Sequence, residues 1–495
     1  MRASLTGKAL ILSIGSALQK LSSFVLIILL VRLLDKAAYG TYQQLFYIGA
    51  IVYGLFVASL SAGLYYYLPR LDLERRRPLV WRTVLLMFVL GAGTGLLLVL
   101  VRNPIAGYTN NPELGPLLVY YAVYVVFWIA SDFFLHLLNA YDQFLKSALF
   151  ATLEAVVNAT FISLPLVWGG ALDDAILWLA AAGGLRYLLY LLITRRIAGP
   201  VNPWQWEGAA GQVRYSFPLM AAGWADLAGG YLDKVFVSVL YTPATLAIYA
   251  IGTLPLPLWE VIARPVNIVL RVKFSELLGS GRDAEVFPIW REAVRKQAAL
   301  VLPILFLLWV LADRLIPLVF TDAYRESVAV FRIYLLDKPW LIMSFSVFPL
   351  TMGRPDFLFR GSVVFVIANA VLMSLVAKRM GIYGPILALV SAQYIHYGTY
   401  VYLINRHLGI PLLTLFPAGI LLRVFAANLI AAVLAYAVAH SVGRAWLALV
   451  LGGLAYALAY VLLLQRLGLL HAEEKRRMLA LLQAMRRWRP WARVR

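Results

Sequence analysis

The sequence predicts an all-α polytopic membrane protein, and three observations carry that prediction. Of 495 residues, 62% are hydrophobic and 14% charged, with a mean hydropathy of +0.80. A soluble core has no use for so much apolar surface, whereas a series of spans of roughly twenty apolar residues each requires it. Apolar windows of that length follow one another along the chain, and lysine and arginine collect in alternate loops between them. Backbone amides in hydrocarbon must be satisfied within their own segment, so helices are the expected form.

Fourteen candidate spans follow, at about 8–31, 40–67, 79–101, 115–140, 147–168, 173–194, 212–240, 245–271, 292–320, 328–352, 357–378, 383–404, 417–440 and 444–466. The loops on the side of both termini hold 29 Lys and Arg, and the opposite loops hold eight. Basic residues are retained in the cytoplasm, so both termini are expected there and the span count is expected to be even. The first window carries Lys20 at its middle with no small-residue cleavage site after it, and reads as a true span rather than a signal peptide.

A short repeat divides the chain. Asp35–Tyr42 aligns with Thr242–Tyr249 at an offset of 207, sharing Ala37/Ala244 and Tyr42/Tyr249. Each stretch joins the first two spans of a six-span set, so the repeat is parallel. The domains expected are a six-helix lobe at 1–200, a second at 201–410, two further spans at 411–470 and a basic amphipathic tail at 471–495. Parallel repeats of this kind suit alternating access around a site between the halves. The loop from Arg271 to Lys296 reads as a surface helix.

Fifteen ionisable residues fall inside the spans. At about 2.5–3.5 kcal/mol for a charge at the bilayer centre, they imply a polar cavity. In span 1, Ser16, Lys20 and Ser23 share a face. In span 4, Asp132, His136 and Asn139 form a stripe suited to a proton relay, with Glu154 and Asn158 four apart in span 5. Span 6 holds Arg186. Span 7 carries Asp226, Gly230 and Asp233 on one face beside Lys234. In span 8, Glu260, Arg264, Asn267 and Arg271 form one stripe, and the planar fork of Arg264 suits phosphate. Lys338 lies in span 10 beside Asp337. In span 12, Gln393, His396 and Tyr397 form a polar aromatic face. Lys20, Arg186, Arg264 and Lys338 are therefore the candidate anion-binding cations of that cavity. Asp132, His136, Glu154, Asp226 and Asp233 are candidates for ion coupling or for pairing with those cations. Gly91 and Gly95 in span 3 form a helix-packing pair.

The formal charge of +20 reflects cytoplasmic loops, so nucleic acid is not expected as a partner. There is no cysteine, no phosphate-binding G-x-x-x-x-G-K-[ST] loop and no metal-spaced histidine cluster. An enzyme is not expected. Any driving force must come from a proton or sodium gradient, the membrane potential or the substrate's own gradient, without a cofactor.

The stretch Leu10–Leu34 with Ala38-Tyr39-Gly40-Thr41-Tyr42, then Leu64-Tyr65-Tyr66-Tyr67-Leu68-Pro69-Arg70, resembles the polysaccharide-type flippases of the multidrug/oligosaccharidyl-lipid/polysaccharide exporter superfamily. So do Tyr215-Ser216-Phe217-Pro218-Leu219, Asp233-Lys234-Val235-Phe236 and Tyr249 in the second half. The resemblance implies two six-helix lobes in a V shape with two extra C-terminal helices. It also implies a bacterial inner-membrane protein that moves a polyprenyl-pyrophosphate-linked oligosaccharide to the outer leaflet, which would make Lys20, Arg186, Arg264 and Lys338 the pyrophosphate candidates and Gln393, His396 and Tyr397 the sugar-facing ones. Its expected partners are that substrate, membrane lipids and enzymes of polysaccharide polymerisation or glycosyl transfer. Two alternatives stand beside it: a multidrug/cation antiporter of the same superfamily, which the seven buried Lys and Arg disfavour, and a non-transporting member of a polysaccharide synthesis complex.

Overall fold

The computed structural model describes residues 5–57, 60–200, 208–409 and 416–468. The predicted basic tail lies outside these residues, as do the side chains of Asp226 and Glu260.

Each of the fourteen predicted segments coincides with helix. Ten are single helices: Leu5–Leu33, Leu73–Leu100, Phe144–Val167, Leu172–Ala198, Ala209–Leu240, Val286–Phe320, Asp356–Val376, Tyr383–Leu408, Ala418–His440 and Ala445–Arg466. Among the described residues the interrupted spans are 2, 4, 8 and 10. Span 2 runs as Lys36–Phe56 and resumes as Gly63–Tyr67. Span 4 breaks at Asp132, whose N–H bonds to the Ile129 carbonyl in a tight turn between Leu114–Ser131 and Phe133–Ala140. Span 8 consists of Pro243–Gly252, a π-helical turn at Trp259–Ala263 and then Arg264–Gly279. Pro255 and Pro257 separate the first two pieces, because proline neither donates to a helix nor fits its interior. Span 10 divides into Ser327–Leu335, a 3₁₀ segment Lys338–Met343 and Val347–Thr351.

Nine described helices are long and apolar enough to cross a membrane, matching spans 1, 3, 4, 5, 6, 9, 11, 13 and 14. Spans 2, 8 and 10 miss that measure because they are broken, whereas span 4 keeps αR backbone through its one-residue turn at Asp132 and still qualifies. Spans 7 and 12 are continuous but diluted by glycine, tyrosine and charged or amide side chains. On these helices many leucines remain exposed, as on lipid-facing surfaces: Leu100 is 69% accessible and Leu458 66%.

The chain forms two compact units. The first comprises 1–253, 319–330 and 362–393. Here the two repeated stretches open their helices alike. Asp35 accepts from the Ala38 N–H at 2.8 Å, and Thr242 accepts from the Thr245 N–H at 3.3 Å. These side-chain caps satisfy otherwise orphaned amides. The two helices pack at Gly40, where an added Cβ would lie 1.8 Å from the Pro243 carbonyl oxygen. Asn111 donates to Thr41 and Gln44, and Gln44 donates to Ser238, so the buried amides around this joint are matched. Gly91 and Gly95 face Val126 and Ala122 of span 4, as the packing pair predicts.

The second unit comprises 254–318, 331–361 and 394–495. Its core includes Phe274, Trp290 and Phe348, with ring centroids 5.5 and 5.6 Å from that of Phe348. The expected surface helix between Arg271 and Lys296 is absent. Two long helices run through that stretch and turn at 280–285. Trp290 and Leu277, expected on a surface, are fully buried, and the Trp290 indole donates to the Met343 carbonyl at 2.8 Å. Their apolar area is spent on the core of the unit.

Candidate functional site

Chemistry-bearing residues stand at the interruptions. In span 4, Asp132 occupies the break itself. The Tyr53 hydroxyl donates to Asp132 Oδ1 at 2.6 Å, while Tyr53 stacks on Trp128 at 5.1 Å. One turn on, His136 Nε2 lies 3.9 Å from Asp132 Oδ2, and its ring lies 5.1 Å from that of Tyr65. Asn139 donates to the Tyr65 hydroxyl at 3.2 Å. Tyr53 and Tyr65 flank the gap in span 2, so the predicted Asp132/His136/Asn139 stripe spans that gap. His136 Nδ1 and Asn139 Oδ1 are buried without a partner among the described residues.

Glu154 and Arg186 meet across spans 5 and 6. Arg186 Nη1 donates to Glu154 Oε1 at 2.8 Å and to Asn158 Oδ1 at 3.3 Å, and Tyr190 donates to Glu154 Oε2 at 3.4 Å. Arg186 is 7% accessible. A pyrophosphate candidate and a coupling candidate are thus each other's counter-ion.

Asp233 is completely buried. It accepts from Tyr249 at 2.8 Å and from its neighbour Lys234 at 3.0 Å, while Lys234 also donates to the Gly230 carbonyl. This joins span 7 to the first piece of span 8. Burial of a carboxylate is tolerated because both oxygens have donors. Lys20 is exposed on span 1.

In the second unit, Arg264 begins the helix that follows the π turn. It is exposed and makes no side-chain hydrogen bond or ion pair among the described residues. On the same face Asn267 is fully buried with neither amide atom partnered among the described residues. In span 10, Lys338 opens the 3₁₀ segment, 2.5 Å from Asp337 and 3.9 Å above the Tyr334 ring. Trp340 stacks on Tyr397 at 5.1 Å and meets Tyr394 edge-on, so one face of the Tyr397 ring is covered by protein. His396 Nδ1 lies 2.9 Å from the Gly361 carbonyl oxygen. Gln393 is partly buried.

The family model for polysaccharide biosynthesis proteins matches residues 29–329. The chain belongs to this family. No curated protein sequence matches it. As a fold, the family member is similar to "Lipid II flippase MurJ, inward closed conformation", with a TM-score of 0.71 at 14% identity over 92% of this chain and 99% of that one. It is also similar to an inward-facing multidrug resistance MATE transporter of the MOP superfamily (TM-score 0.55, 13% identity, 78% and 95% of the chains). A MATE transporter from Vibrio cholerae gives 0.52 at 15% identity, over 81% and 98%. The described residues form an all-helical fold similar to that of these structures, and the chain is a multi-pass membrane protein.

Several partners in this polysaccharide-family chain were hidden from its sequence: Tyr53, Tyr65, Tyr190, Tyr249 and Trp340. Arg332 is another case. It sits 5.1 Å over Trp309 and 3.5 Å from Asp313, which His440 also approaches at 3.1 Å. Isolated tyrosines and tryptophans in apolar runs carry no signal that separates such contacts from plain packing.

Proposed function

We propose that this protein is a flippase for a polyprenyl-pyrophosphate-linked oligosaccharide, working by alternating access of two six-helix repeats, 1–200 and 201–410. The observation that carries the reading is that both repeats contain interrupted spans with polar groups beside the interruptions. Spans 2 and 8, and spans 4 and 10, are the interrupted ones, and Tyr53, Arg264, Asp132 and Lys338 lie at or beside the breaks. Interrupted segments in matching positions of repeated halves are where transporters build their substrate sites. Family membership supplies the polysaccharide context, and the similar fold named for lipid II flipping supplies the class of substrate.

Arg264 and Lys20 are the pyrophosphate-binding residues in this reading. Both are exposed, whereas Arg186 and Lys338 are held against Glu154 and Asp337. Arg264 offers a planar fork for paired phosphate oxygens. The acids of spans 4 and 7 couple the cycle to protons or another cation. The protein sits in a bacterial inner membrane with both termini in the cytoplasm, an orientation that the loop charges support. It carries out transport rather than covalent chemistry and serves polymerising enzymes of the same pathway.

Replacing Arg264 or Lys20 with Ala is expected to abolish surface polysaccharide while leaving the protein in the membrane at normal abundance. Wild-type polymer yield from both variants would remove the phosphate-binding assignment.

A further inference from the structure

A cavity of about 230 Å³ opens between spans 5 and 6. Its walls are Phe150, Leu153, Phe161, Leu185 and Leu189, with Glu154 and Arg186 between them. Leu153, Leu185 and Leu189 are exposed at 51%, 62% and 43%, so an apolar rim surrounds a charged pair. Arg186 uses only Nη1 on Glu154 and Asn158. The Tyr124 hydroxyl adjoins the guanidinium. Even so, Nε and Nη2 are buried and meet no acceptor in hydrogen-bonding geometry among the described residues. A buried guanidinium with two idle donors is costly unless something completes it.

We propose that this cavity is a proton-gated site for a lipid phosphate, with the hydrocarbon against Phe150, Phe161 and Leu189 and the phosphate oxygens on Nε and Nη2 of Arg186. While Glu154 is ionised, the pair is neutral and its carboxylate repels an anion a few ångströms away. Protonation of Glu154 leaves Arg186 with net positive charge, and the phosphate replaces the carboxylate as its counter-ion. Anion binding and uptake of one proton are therefore linked, and affinity falls as pH rises.

The other groups facing Glu154 fit this role. Tyr190 of span 6 donates to it, and Tyr124 of span 4 and Tyr53 of span 2 lie within its electrostatic reach. On span 1, Gly15 packs against Ala148. Span 1, which carries Lys20, thus packs along span 5. On the second piece of span 4, Asp132 and His136 are engaged with Tyr53 and Tyr65. This inference takes only its ligand class from the flippase reading, and adds a second phosphate site and its gate.

The test is binding of a short-chain prenyl phosphodiester, whose charge is fixed across the pH range, to the full-length protein in detergent. Wild type is expected to lose affinity with rising pH, by up to about tenfold per unit once Glu154 is ionised. Glu154→Gln should bind at all pH values as wild type does in acid. The double variant Arg186→Gln/Glu154→Gln keeps a neutral pair, so it should fold and bind at least about tenfold more weakly. The prenyl alcohol and inorganic pyrophosphate alone should both bind worse than the diester. A wild-type pH profile in Glu154→Gln, or unchanged binding in the double variant, overturns the proposal. Inorganic pyrophosphate binding as tightly as the diester overturns the part assigned to the apolar walls. Binding that behaves as described in a protein that does not flip lipid would leave this site standing and remove the flippase reading instead.

Discussion

The Tyr53 hydroxyl donates to Asp132 over 2.6 Å, and so ties the end of one interrupted span to the break in another. Tyr65, beyond the gap in span 2, contacts His136 and Asn139 beyond the break in span 4. The two interruptions thus stabilise one another through side chains, where continuous helices would have used their own backbones.

Tyr53→Phe removes that donor and leaves Asp132 with a vacant acceptor in a low-dielectric setting. A loss of about 1–3 kcal/mol is expected, seen as a lower unfolding temperature in detergent by tryptophan fluorescence. Asp132→Asn should cost less, because an amide oxygen still accepts from Tyr53.

Span 3 offers an internal control on helix packing. A Cβ at Gly91 would lie 2.6 Å from the Val126 carbonyl oxygen, and at Gly95 2.6 Å from Val126 Cγ2, but at Gly93 it would meet nothing within 4 Å. Gly91→Ala and Gly95→Ala are expected to destabilise by about 1–3 kcal/mol. Gly93→Ala should be neutral or stabilise by up to about 1 kcal/mol. Equal unfolding temperatures for all three would contradict the close approach of spans 3 and 4.

The Asp233–Lys234–Tyr249 cluster predicts strong coupling. Lys234→Gln leaves a fully buried carboxylate supported by Tyr249 alone, and a loss of about 3–5 kcal/mol is expected. The double variant Asp233→Asn/Lys234→Gln should be more stable than the sum of the two single losses implies. Additive losses in a double-mutant cycle would show that the two charges act independently.

Gly40 tests the joint between the repeated stretches. With a Cβ only 1.8 Å from the Pro243 carbonyl oxygen, Gly40→Ala cannot be absorbed by rotating a side chain. Backbone must move, so the variant is expected to yield markedly less folded protein by size-exclusion profile. Asp35→Ala, which removes only a cap, should cost about 1 kcal/mol.

Much of this architecture was legible because membrane solvent simplifies the code. Apolar runs of sufficient length mark helices, and all fourteen coincided with helical structure. The i, i+4 spacing of Asp132 and His136 correctly placed both on one face, and Gly91/Gly95 correctly announced close packing. The breaks were harder to read. Pro255, Pro257 and Pro339 mark two of them, but the gap in span 2 and the turn at Asp132 involve no proline. They depend on tertiary partners such as Tyr53 and Tyr65 that supply what the helix gives up. The exposure of Arg264 was equally invisible, and the sequence left open which acid would pair with Arg186, since both depend on which helices become neighbours. Trp290 was misjudged for the same reason: an amphipathic basic segment near a membrane resembles a surface helix until a core is found for its indole.

The most direct measurement is translocation itself. In proteoliposomes carrying a fluorescent polyprenyl-pyrophosphate oligosaccharide, wild type should move the lipid across the bilayer, readable as loss of accessibility to an external glycosidase or quencher. Arg264→Ala should bring that rate to the protein-free background. Transfer by Arg264→Ala at the wild-type rate, or none by the wild type under any imposed ion gradient or membrane potential, would contradict the account.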